Sequence, residues 1–200
     1  MDIYTIDKEY SCEIIIKKSR FIGYLFNVNN QSEAQEVLKE IRKKHYDATH
    51  NCYAYIIKDN DQTLIKSSDD GEPGGTAGVV IYEVLKKNNL TNIICIVTRY
   101  FGGIKLGAGG LVRAYSQSTA EAIKQISNLV KIEEKTKLCI EFNYDLINLI
   151  EKNMLDCTLL SKEFNAYVRY TYEIKEDLLH EVKQKLVNIS LNQVRFINIE

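Results

Sequence analysis

The sequence predicts an α+β chain of two domains, residues 1–132 and 133–200. Three observations predict it. The length of 200 residues suits one large domain or two small ones. Nine of the ten glycines lie between positions 71 and 110, in two blocks that flank one helix-plus-strand unit. Beyond residue 132 the apolar periodicities follow the order β-α-β-β-α-β, the ferredoxin-like signature.

Each element has a local reason. Residues 12–16 and 20–28 alternate or run apolar and read as strands around a Lys17-Lys18-Ser19 turn. Ser32-Glu33-Ala34-Gln35 reads as a capping box opening a helix. Ala34, Val37, Leu38 and Ile41 keep its apolar spacing, and Arg42-Lys43-Lys44-His45 suits its C-terminal dipole. Residues 49–58 and 62–67 read as strands joined by the turn Lys58-Asp59-Asn60-Asp61. Ala77, Val80, Ile81 and Val84 predict a second helix that ends at Asn88-Asn89. The apolar run at 92–98 predicts a strand covered on both faces. Leu111, Ala114, Tyr115, Ser118, Ala122 and Ile126 predict one stripe of a long helix.

Residues 131–135, Lys-Ile-Glu-Glu-Lys, read as a linker. After it come a strand at 136–143, a helix at 145–155, strands at 158–162 and 166–174, a helix at 177–189 and a last strand at 193–199.

Composition excludes several classes. With 45% hydrophobic and 26% charged residues, the chain is ordinary globular protein. The net charge of −1 divides into +2 over residues 1–132 and −3 over the remainder, so any basic surface must be local. The opening residues do not read as a signal or transit peptide, and no apolar run reaches membrane-span length. Five cysteines without a Cys-x-x-Cys pair read as free thiols, so a reducing cytoplasm is expected, with no zinc or histidine-rich metal site and no membrane partner.

The second glycine block, Thr98-Arg99-Tyr100-Phe101-Gly102-Gly103-Ile104-Lys105-Leu106-Gly107-Ala108-Gly109-Gly110, leads into a helix. The unpaired first-turn amides of a helix, with its dipole, attract anions. Gly107, Gly109 and Gly110 would let a phosphate or carboxylate approach, with Arg99, Lys105 and Arg113 nearby in sequence. The first block, Ser67-Ser68-Asp69-Asp70-Gly71-Glu72-Pro73-Gly74-Gly75-Thr76-Ala77-Gly78, is acidic. Asp69, Asp70 and Glu72 suit three roles: Mg²⁺ ligands, helix caps, or ion-pair partners of the arginines. His50 and Cys52 share one face of a strand, which favours packing and hydrogen bonding over a nucleophile pair. Tyr24, Tyr53, Tyr55, Tyr100 and Tyr115 interleave with these stretches. They are open to base stacking or to half-buried structural roles.

Four segments together resemble the YigZ/IMPACT family: Lys18-Ser19-Arg20-Phe21-Ile22, Ala48-Thr49-His50-Asn51-Cys52-Tyr53-Ala54, the acidic block at 68–78, and residues 97–115 around the second glycine block. The resemblance implies a ribosomal protein S5 domain 2-like first domain. It implies a ferredoxin-like second domain similar to the last domain of elongation factor G. The expected function is an RNA- or ribosome-associated binding protein with a role in translation regulation, without catalysis or cofactor. The site would comprise Arg20, Arg99, Tyr100, Lys105, Gly107, Gly109, Gly110 and Arg113, supported by His50. Asp69, Asp70 and Glu72 would pair with it or hold a metal. The alternative is an enzyme that binds a phosphometabolite or nucleotide at the helix start at 107–110, with Mg²⁺ on Asp69 or Asp70. It follows from the small-molecule kinases that share the S5 domain 2-like fold. A protein partner stays open.

Overall fold

The apolar run at 92–98 forms the central strand of a five-stranded antiparallel sheet and is buried along both faces. The computed structural model describes residues 2–59, 62–155 and 157–198. The chain divides into two compact units, Met1–Ile132 and Glu133–Glu200.

The first unit contains β1 (Tyr4–Ile6), β2 (Tyr10–Ile16), β3 (Ser19–Asn27), α1 (Gln31–Lys44), β4 (His50–Asp59), β5 (Gln62–Ser68), α2 (Gly78–Lys87), β6 (Ile93–Tyr100), α3 (Ala108–Lys124) and β7 (Leu129–Lys131). The sheet order is β2-β3-β6-β4-β5, with every neighbour antiparallel. Side chains alternate between its faces. One face packs Phe21, Leu25, Cys52 and Val97 against Ile81 and Leu85 of α2 and Leu111 and Tyr115 of α3. On the other face, Ala34, Leu38 and Ile41 of α1 pack on Tyr24, Tyr53, Tyr55 and Ile96.

Several local expectations are corrected. The cap of α1 is Asn30, whose side chain accepts from the Glu33 amide at 2.9 Å, while Glu33 Oε2 accepts from the Asn29 amide at 2.8 Å. Ser32 therefore lies inside the helix, because a variant of the capping box starts two residues earlier with Asn30 and Glu33, the carboxylate reaching the amide just before the cap. The linker expected at 131–135 is shorter, since β7 pairs with β1 through Lys131 and Tyr4. That pairing spans most of the first unit and leaves no local periodicity.

Glycine is required by close approach at Gly102. A β-carbon there would fall on the Lys18 carbonyl. The β2–β3 turn, with Lys17 and Lys18 at φ 45° and 64°, is thereby packed on the loop after β6.

The second unit contains β8 (Lys135–Phe142), α4 (Ile147–Asn153), β9 (Thr158–Phe164), β10 (Val168–Lys175), α5 (Leu179–Ile189) and β11 (Arg195–Ile197). Short 3-10 turns, Tyr144–Leu146 and Glu176–Leu178, lead into the two helices, which begin later than their periodicity suggests. The sheet order is β11-β8-β10-β9, all antiparallel. Ile140, Phe142, Ile150, Tyr170, Tyr172 and Leu186 fill its own core. Asn60 and Asp61 of the expected hairpin turn, and Ile199 of the last strand, lie outside the described residues.

Candidate functional site

Sheet pairing gathers both glycine blocks at one end of the first unit. His50 at the start of β4 pairs with Arg99 near the end of β6. Tyr53 pairs with Ser68, the last residue of β5. The start of α2 packs closely on Ser68, where a β-carbon on Gly78 would lie 2.6 Å from backbone.

The acidic block folds inward. Asp69 accepts the amides of Gly75, Ala77 and Gly78 at 2.9, 2.9 and 2.8 Å, tying the loop and capping α2. Burial works to raise the Asp69 carboxyl, but these three amides together outweigh it and hold it below its ordinary 3.8. Asp70 accepts from Arg42 at 2.6 Å and from the Asn51 amide at 2.7 Å. Glu72 is buried, with its side chain only 3% exposed. It accepts from Arg99 at 2.5 Å and from the Tyr115 hydroxyl at 2.8 Å. Its second oxygen lies 3.9 Å from His50 Nε2.

His50 Nδ1 is 2.8 Å from the Asp70 carbonyl oxygen. A carbonyl only accepts, so Nδ1 carries a proton and donates. Cys52 donates to the Asp69 carbonyl at 2.9 Å, and burial pushes its thiol up to about 12. It is a packed thiol, far from nucleophilic at neutral pH. Among the described residues, no group of three His, Cys, Asp or Glu side chains is arranged to hold a metal ion.

The predicted cations separate into two sets. Arg99 is buried, held by Glu72, and its guanidinium lies over the Phe21 and Phe101 rings at 5.4 and 5.5 Å from their centroids. It is part of the internal scaffold and is not presented to solvent with the other expected site cations. Arg20 pairs with Glu13 at 3.0 Å and lies 4.9 Å over the Tyr100 ring. Lys105 and Arg113 are exposed, and no ion pair joins them, or Lys17 or Lys18, to a described residue. Arg113 makes no pair with Asp69, Asp70 or Glu72.

At the start of α3, Gly107 takes φ 71° and no side chain among the described residues caps the helix. The first α3 amide to find a carbonyl is that of Leu111, on Gly107 at 2.9 Å. Gly109 is exposed, and a β-carbon there would meet nothing.

Tyr100 is not a free ring. Its hydroxyl donates to Asp47 at 3.1 Å and lies 2.9 Å from His45 Nδ1. Tyr24, Tyr53, Tyr55 and Tyr115 are buried in the two sheet cores. The exposed rings at this end are others: Phe101 at 47% and Tyr46 at 86%. Sequence reasoning missed both. Their signal was position, in loops beside the basic segments, where no apolar periodicity requires a core residue.

Residues 17–123 match the Impact N-terminal domain, a span that holds every motif named above. This chain belongs to the IMPACT family. It is 44% identical over 170 residues to IMPACT family member YvyE of Bacillus subtilis, covering 85% of this chain and 77% of that one. It is 31% identical over 188 residues to IMPACT family member YigZ of Escherichia coli, covering 92% of each. Protein IMPACT homolog of Dictyostelium discoideum is 37% identical over 130 residues, 64% of this chain and 36% of that one. In three dimensions the chain is similar to the crystal structure of a hypothetical protein, with a TM-score of 0.67 and 29% identity over 100% of this chain and 98% of that one. The IMPACT motifs all fall in the first unit, where they build one end of it.

Proposed function

We propose that this IMPACT family protein is an RNA- or ribosome-associated binding protein of the cytoplasm with a role in translation regulation, acting without catalysis. One observation carries the proposal. At the motif end of the first unit the acids are engaged internally, and cations are left over. Asp69 holds amides, Asp70 holds Arg42, and Glu72 holds Arg99. Lys17, Lys18, Lys105 and Arg113 have no such partner among the described residues. A near-neutral chain thus carries a local positive surface beside an uncapped helix start at Gly107.

We read the first unit as ribosomal protein S5 domain 2-like. We read the second as ferredoxin-like and similar to the last domain of elongation factor G. The β-α-β-β-α-β order and the strand order β11-β8-β10-β9 support the second reading.

The test is RNA affinity across a salt series. The log–log slope is about −0.7 to −0.9 per phosphate neutralised. Replacing Lys105 and Arg113 by alanine together is expected to flatten it by roughly 1 to 2. No binding at low salt, or a slope of zero, refutes the proposal.

The uncapped α3 start also favours a second reading, a nucleotide or phosphometabolite bound at Gly107, Gly109 and Gly110. Under that reading Mg²⁺ would come with the ligand, since Asp69 is occupied by three amides. A ligand at a hundredfold excess over Kd would stabilise the fold by about 2.7 kcal/mol. No shift in Tm with nucleotides or sugar phosphates would remove it. A pull-down repeated after nuclease treatment separates a direct protein partner from an RNA-bridged one.

A further inference from the structure

We infer that the RNA recognised at this end is single-stranded, with unpaired bases stacking on Phe101 and Tyr46. The inference rests on the RNA reading above and names the form of RNA. It starts from two exposed rings that belong to neither sheet core. Phe101 is 47% exposed and Tyr46 is 86% exposed. Their loops are joined, because the Thr49 amide donates to the Arg99 carbonyl at 2.8 Å and the Phe101 amide to Thr49 Oγ1 at 3.0 Å. The inner side of the Phe101 ring rests on the buried Arg99 guanidinium, itself fixed by Glu72. The ring is therefore held on Arg99 while 47% of the residue stays exposed.

The surroundings select the occupant. The Lys17-Lys18 turn is packed on Gly102, the residue after Phe101. Lys105 follows four positions later and is exposed. Rings presented among unpaired cations match a chain that alternates flat bases with phosphates. Base stacking on an aromatic face needs a base freed from its helix, whereas duplex RNA offers only backbone and shallow groove to such a surface. An acidic peptide would answer the cations but not the rings.

The experiment measures binding of a short fluorescent single-stranded RNA, the matching duplex and poly-glutamate to the full chain. The expected order is single strand tightest. Phe101→Leu keeps an apolar cover over Arg99 and removes the ring, so single-strand affinity should fall about tenfold with the salt slope unchanged. Tyr46→Leu should also weaken it, Phe101→Tyr should retain it, and duplex affinity should move little. Unfolding of Phe101→Leu at the wild-type Tm shows that the loss is not a folding defect. If that variant unfolds early, Tyr46→Leu decides, since that ring packs on little. The inference is overturned if neither leucine variant changes single-strand affinity, or if duplex or poly-glutamate binds as tightly. In those outcomes the RNA reading survives whenever RNA still binds with a salt slope. No RNA binding at low salt removes both.

Discussion

Glu72 receives a guanidinium and a tyrosine hydroxyl in a site closed to solvent. Removing one member of a buried ion pair strands the other, at a cost of about 3–5 kcal/mol. Glu72→Ala should therefore lower stability by that order in urea unfolding, and adding Arg99→Leu should recover part of the loss. His45 works differently. Tyr100 donates to Asp47, so it accepts from His45 Nδ1, and Nε2 then accepts from the Tyr24 hydroxyl at 2.8 Å. Burial, with Lys44 and Arg20 nearby, holds the imidazole below its ordinary 6.5. The unfolded chain takes up this proton first as pH falls. The His45 contribution to stability is complete above pH 6.5 and is lost as pH drops below it toward the folded value. Unfolding free energies across that range should fall toward acid, and His45→Gln should flatten the dependence. Pairing of the acidic block with arginines was legible for Arg99. The Asp70 partner, Arg42, was not, because it lies outside the glycine blocks in the last turn of α1, where a cation already has a reason in the helix dipole.

At the level of elements, caps and glycines decide the ends. Asn30→Ala removes the α1 cap and should cost about 1 kcal/mol, measured as Tm. Asp69→Ala frees three amides at once and should cost about 2 kcal/mol, the upper end for a cap. The two glycines of the second block should diverge. Gly107→Ala meets open space but must hold φ 71° and ψ 166°, a region essentially reserved for glycine, costing about 1–3 kcal/mol. Gly102→Ala collides with the Lys18 backbone and should displace the β2–β3 turn, with a larger drop in Tm. A glycine-rich string in the sequence does not separate these cases. Both look like turn residues, and only the neighbouring chain shows which one has no room.

Across the whole molecule, each unit buries its own apolar set. Cys52 and Cys95 lie in the sheet of the first unit, and burial pushes both thiols up to about 12. Iodoacetamide on native protein should spare both while modifying half-buried Cys12, and all should react in urea; labelling of native Cys52 would contradict the packed arrangement. The apolar periodicities were sufficient for the strands and helices of both units apart from β1 and β7, since burying one face imposes a period on the chain. Motif strings were sufficient for the IMPACT family. What they left undetermined was the state of each charged and aromatic side chain at the motif end. Arg99 and Lys105 stand six positions apart in one basic segment, yet one is buried on Glu72 and the other faces water. Tyr115 and Tyr46 are the same residue type, one wholly buried and one almost bare. Sequence by itself determined most of the elements and where the unusual residues cluster, because those depend on local spacing. Tertiary structure alone decided which charges cancel and which rings remain open, because charge and burial depend on partners brought together from distant strands.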